Sequence, residues 1–226
     1  MQLMKRYLDE EQQRRLLQAA KRVADPLAQR DFHWLRLLIQ TGMRVAEFAS
    51  LTLAQAESAL RTGWLVVPKE ARKGGRQGHE YAVTQSVRES LERLAFMARA
   101  EAADWPAVTR VPLVWGREGT PLSVRSYQAR LKVWLAAAGL DERISIHWLR
   151  HTRGMNVLRR SRAAGDKQAL KLAQLALGHQ SISSTGVYLT LSREEFANAM
   201  AAVDGGRLSK RAARRLAAQQ AQELRA

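Results

Sequence analysis

The chain contains no cysteine, which removes disulfides, thiolate metal sites and cysteine nucleophiles from consideration. It also lacks any run of about 18 apolar residues, the length a membrane-spanning helix needs. The N-terminal MQLMKRYLDEEQQRR has no apolar signal core. No internal repeat is visible, and no Pro/Gly/Ser-rich linker divides the chain. Acidic side chains are scarce beside basic ones: 21 Asp and Glu face 37 Lys and Arg, a formal net charge of +16 over 226 residues. Such an excess argues against a small neutral substrate and for a polyanion, because neutralising phosphates releases condensed counterions. A basic protein without a specific ligand, or one resting on an anionic membrane, is the other reading of composition alone. Hydrophobic residues reach 46%, enough for a core, and the length suits one large domain or two small ones.

The hydrophobic pattern is mostly helical. Asp9-Glu-Glu followed by Leu16, Leu17, Ala20 and Val23 predicts a helix with acidic residues in its first turn. A second helix is expected from about Asp31 to Gln40, ended by Gly42, and a short one from Arg44 to Ser50. Trp64–Pro68 and Glu80–Thr84 have strand character and can pair around the basic, glycine-rich turn 71–78. Further helices are expected at 85–102, 122–138, 147–161, 167–177 and 192–203. The fold class is therefore mainly α with a small antiparallel β-hairpin (α+β). A catalytic unit is expected over 1–204, and a basic tail over 205–226. The tail reads equally as a frayed solvated helix or as a functional element, either a DNA-contacting arm or a helix docking on a neighbouring protomer.

Three segments stand out: Thr41-Gly-Met-Arg-Val-Ala-Glu47, His147-Trp-Leu-Arg-His151, and Leu177-Gly-His179 followed by Tyr188. Singly, each has a plain explanation. Arg44 could be a surface charge, His147 and Arg150 a structural polar pair on one helical face, His179 a cap, and Tyr188 a core residue with a bonded hydroxyl.

Together they suit phosphodiester chemistry. Phosphoryl transfer requires neutralising charge on the non-bridging oxygens, and two arginines match phosphate geometry while staying charged. A tyrosine hydroxyl can attack phosphorus and hold a covalent intermediate. Histidines move protons near neutral pH, and a desolvated lysine can protonate the leaving oxygen. The inventory needs no metal and no cofactor, and no His/Asp/Glu cluster shows convincing metal-ligand spacing.

The ordered set T-G-M-R-V-A-E-F, H-W-L-R-H-T and L-G-H-x8-Y resembles the three signature boxes of the tyrosine recombinase (phage integrase) family, over about residues 7 to 195. The resemblance implies a DNA breaking-and-rejoining catalytic fold, cleavage through a 3′-phosphotyrosyl bond, strand exchange, and a homotetramer on two DNA sites. By position, Arg44 and Arg150 match the arginines gripping the scissile phosphate. Glu47 matches the acidic supporting position and His147 the acid/base histidine. His179 matches the His/Trp that bonds the phosphate, and Tyr188 the nucleophile. His151 matches a histidine weighed more as support than as catalyst. The family's hairpin lysine is best matched by Lys73, with Lys69 as the fallback. Arg72 and Arg76 would then contact the DNA backbone or be solvated charges. The helix near 122–136, with Arg125, Gln128, Arg130 and Lys132, is a groove-entering candidate or a solvated face.

Two departures are visible. The first box begins by residue 41, leaving no room for the family's separate N-terminal clamp, so the chain resembles short catalytic-only members or a fragment. The stretch Ser161–Lys171 is longer and more polar than usual and is expected to be a loop insertion. The expected partners are double-stranded DNA and accessory DNA-bending proteins, with no membrane, a monomer in solution and a tetramer on DNA. The expected setting is a bacterial cytoplasm, at the nucleoid, with a mobile element as the expected source. A silent DNA-binding regulator and a type IB topoisomerase are the competing readings. All six expected positions are filled, against the regulator; the short chain and the Leu-Gly-His box favour a recombinase.

Overall fold

Local chemistry sets most of the element boundaries. The computed structural model describes residues 6–72, 77–103, 110–116 and 119–178, all within one compact unit spanning 1–185. Helix α1 (Glu10–Lys21) starts at Asp9, whose carboxylate accepts the Gln12 N–H while the Gln12 side chain accepts the Asp9 N–H. This reciprocal box satisfies two donors that a helix start leaves unpaired. Leu16 and Ala20 are buried as expected, but the helix stops at Lys21 and Val23 lies beyond it, exposed.

Helix α2 (Pro26–Thr41) begins five residues before the expected Asp31. Asp25 caps Ala28, and Pro26 fits the first turn, where no amide partner is needed. Asp31 is thereby drawn into the helix interior and the core. Gly42, at φ 68°, ends α2 in the left-handed region. Helix α3 (Val45–Ala49) follows at once. Helix α4 (Leu53–Thr62) was not expected. Its buried contacts are Ala56 and Ala59, too small to make a bulky apolar stripe, although Thr52 and Gln55 form a capping box there.

Strand β1 (Trp64–Val67) pairs antiparallel with β2 (His79–Ala82), Leu65 opposite Tyr81 and Val67 opposite His79. The second strand thus pairs one residue earlier than its apolar run suggests. Leu65, Val67 and Tyr81 face inward while Trp64 and Val66 face solvent, the two-residue alternation of a half-buried hairpin. Helices α5 (Gln85–Ala102), α6 (Val124–Ala137), α7 (Ile146–Ala163) and α8 (Ala169–Leu177) complete the described chain. The expected loop at Ser161–Lys171 is corrected: α7 claims its start and α8 its end, leaving 164–168 irregular. The expected helix at 192–203 lies outside the described residues.

Helix α2 is the central element, packing on α1, α5 and α7, while α8 packs on α7. Its Trp34 meets the fully buried Tyr127 edge-on at 5.0 Å, and Phe48 meets the same ring at 5.8 Å. Asp31, with no exposed surface, accepts the indole N–H of Trp34 and of Trp134, each at 2.8 Å. Arg30 and Arg130 complete its ion pairs, so a buried charge is compensated by four donors. Among the described residues no helix is long and apolar enough to cross a membrane.

Candidate active site

Gly42 is where two of the signature segments meet. The Arg150 guanidinium, on α7 and only 3% exposed, donates to the Gly42 carbonyl at 2.6 Å and to the Leu177 carbonyl at 2.7 Å. One side chain thereby joins the turn before Arg44 to the end of α8, across 108 residues in one direction and 27 in the other. Only glycine suits position 42. Besides its positive φ, a Cβ there would come within 2.6 Å of the Leu177 side chain and 2.9 Å of Arg153.

Arg44 immediately precedes α3, and Glu47, one turn on, holds it twice. The Glu47 carboxylate accepts the Arg44 N–H at 3.1 Å and its Nη1 at 2.8 Å. Glu47 is 1% exposed while Arg44 is 32% exposed, so the carboxylate is the buried anchor and the guanidinium faces outward. The carboxylate also accepts Arg72 Nε at 3.3 Å and the Tyr81 hydroxyl at 3.2 Å. Burial by itself would raise the Glu47 pKa. The Arg44 hydrogen bonds, with the charges of Arg44 and Arg150, outweigh it and hold the carboxyl below its ordinary value. Burial and the neighbouring Glu47 charge push the Tyr81 phenol up, which keeps it a neutral donor.

His147 lies in the first turn of α7, one turn before Arg150, and its ring meets that of His151 edge-on at 4.6 Å. Packing around the His147 ring, then the charges of Arg150 and Arg44, lower its pKa. The ring therefore lies within the field of both arginines. Burial, followed by the charges of His147 and Arg150, brings His151 to about 4. Both imidazoles are neutral at pH 7, able to accept a proton or present a single N–H.

The structure thus brings Arg44, Glu47, His147, Arg150 and His151 together. Lys73, Arg76, His179 and Tyr188 lie outside the described residues. The fallback Lys69 sits exposed beside Glu70. Arg72, expected as a DNA-backbone contact or a solvated charge, is turned inward, its side chain 8% exposed and bonded to Glu47. A buried carboxylate and several carbonyls attract its donors more strongly than solvent does. Arg125, Gln128 and Lys132 are exposed on α6, whereas Arg130 turns to Asp31.

Tyr81 and His79 were not singled out by the sequence. The signal was the strand period of two, which places both on the inward face of β2, their rings edge-on at 4.5 Å. Burial, then the Arg72 charge, lowers the His79 pKa.

A helical body with one hairpin laid against the Arg44–Glu47 turn is the fold of solved recombinase and integrase catalytic domains. XerH site-specific recombinase in its post-cleavage complex with a palindromic difH substrate superposes with a TM-score of 0.68, at 20% identity over 87% of this chain and 53% of that one. XerA recombinase gives 0.67 at 20% identity, covering 92% and 66%. The catalytic domain of bacteriophage HP1 integrase gives 0.53 at 16% identity, covering 92% and 98%. The phage integrase family matches residues 6–195, and the chain belongs to that family. Tyrosine recombinase XerC of Neisseria gonorrhoeae is 32% identical over 173 residues, 76% of this chain and 51% of its own length. Tyrosine recombinase XerD of Xanthomonas campestris is 32% identical over 183 residues, 79% and 53%. The chain spans about half the length of these curated relatives.

Proposed function

We propose that the chain is the catalytic domain of a site-specific DNA recombinase that cleaves and rejoins double-stranded DNA through a 3′-phosphotyrosyl bond at Tyr188. The observation that carries this reading is the Arg150 guanidinium, which binds backbone carbonyls in both other signature segments. Three stretches far apart in sequence thereby converge. Arg44 and Arg150 neutralise the scissile phosphate as charge develops on its oxygens. Glu47 holds Arg44 in place, and His147, kept neutral beside the two arginines, takes the tyrosine proton. Lys73 protonates the 5′-oxygen as it leaves, His179 donates to the phosphate, and His151 supports His147. Attack by the Tyr188 oxygen breaks the phosphorus–5′-oxygen bond and retains the phosphate on tyrosine, so a second 5′-hydroxyl can reverse the step on a new strand. Arg125, Lys132 and Arg76 supply phosphate contacts, and the active assembly is a homotetramer on two DNA sites.

Incubation with a nicked suicide duplex carrying the target site, followed by a denaturing gel, tests the reading. A covalent adduct absent in Tyr188→Phe is expected. Specific binding without an adduct would instead favour a silent regulator. Relaxation of supercoils without a sequence requirement would favour a topoisomerase.

A further inference from the structure

Arg72 reaches more separate parts of the site than its position on the hairpin suggests. Its Nε donates to Glu47, its Nη1 to the Gln77 and Gly78 carbonyls at 3.0 and 3.2 Å, and its Nη2 to the Gly178 carbonyl at 3.0 Å. The last bond crosses 106 residues of sequence. Gly178, at φ 61°, is seated against this guanidinium. A Cβ there would come 2.9 Å from Arg72 Nη2 and 2.8 Å from His79 Nδ1. A rigid plane of five N–H donors suits four acceptors fixed on three segments; a lysine ammonium, a single point of charge, cannot reach them together.

We propose that Arg72 is a positioning residue for phosphoryl transfer. It locks the base of the hairpin turn to Glu47, the carboxylate that holds Arg44, and to Gly178, the residue preceding His179. The base of the hairpin and the end of α8 are thereby held to the arginine pair as one unit. Arg72 acts through Glu47 and Gly178, not on the phosphate. The inference rests on the recombinase reading above and adds a residue to it.

The test uses the full chain with Arg72→Lys and Arg72→Ala, measuring melting temperature, DNA affinity against salt, single-turnover adduct formation at saturating DNA, and amide hydrogen exchange. Arg72→Lys is expected to fold and bind DNA within about threefold of the parent. Its cleavage rate should fall roughly tenfold or more, with faster exchange in the peptides over 77–82 and 173–178. A purely structural role would lower the melting temperature without slowing the folded fraction, and would overturn the proposal. So would a phosphate contact, seen as weaker binding with a salt slope reduced by about one and an unchanged saturated rate. An Arg72→Lys rate and exchange pattern equal to the parent's would overturn it as well. If the parent chain forms no adduct, the recombinase reading fails on its own. Exchange then decides the tether: faster exchange upholds it, and unchanged exchange overturns it.

Discussion

The Tyr81 hydroxyl donates to the Glu47 carboxylate at 3.2 Å, a strand residue holding the anchor of a helix 34 positions earlier. Glu47 is nearly inaccessible and also carries Arg44 and Arg72. Replacing it with alanine leaves charged donors without their partner, which typically costs about 3–5 kcal/mol. Tyr81→Phe removes one donor only and should cost about 1 kcal/mol. Urea unfolding of the two variants checks the ranking; equal stabilities would show that the carboxylate does not organise this region.

The Asp31 hub makes a second prediction, remote from the candidate site. Asp31→Asn keeps the shape but removes the charge and turns one of the two acceptor oxygens into a donor, which then faces one indole N–H and one arginine. A loss of roughly 3 kcal/mol or more is expected from the unpaired buried donors. Chemical denaturation gives the loss, and the Trp34 and Trp134 environments should change in tryptophan fluorescence.

Gly42→Ala should be among the least tolerated substitutions of its size. The added methyl meets Leu177 and Arg153 at less than van der Waals distance, and the backbone is left-handed there. Strain of about 1–3 kcal/mol is expected. Because the Arg150–Gly42 bond sits on the same turn, the adduct-forming rate should fall further than stability alone implies. A variant with both melting temperature and cleavage rate unchanged would refute this.

Two histidines give the fold a defined response to acid. Burial foremost, then Arg36 and Arg93, lowers His33 to about 4, and His151 also lies at about 4. Their unfolded values are near 6.5, so between pH 6.5 and 4 the unfolded chain binds more protons and stability must rise with pH. The contribution is complete above about 6.5 and is lost as pH falls through the window. Glu47, also held low, has the same sign but acts below the ordinary carboxylate range. Melting temperature measured from pH 5 to 7.5 isolates the histidines, and His33→Leu should flatten the slope by up to one proton.

Helix α5 coincides with its expected span, and the hairpin, α6 and α7 lie within a residue or two of theirs, because bulky periodicity, caps and glycines are local signals. Helix α4 escaped because alanines form its buried face, and the early start of α2 because Asp25 and Pro26 act before any apolar stripe begins. Arg44, Glu47, His147 and Arg150 were legible as a chemical set from residue type and order.

The helical periods, the hairpin, the basic excess and the ordered boxes are each written within a few neighbouring residues, so the order of amino acids alone carries them. The packing of distant segments, by contrast, turns Arg72 inward to Glu47 and Gly178 while Arg125 stays exposed, although both are arginines on basic stretches. It likewise decided that Asp31 collects two tryptophans and two arginines. A charged side chain goes where its desolvation is best compensated, and that depends on acceptors or donors brought close from distant parts of the chain.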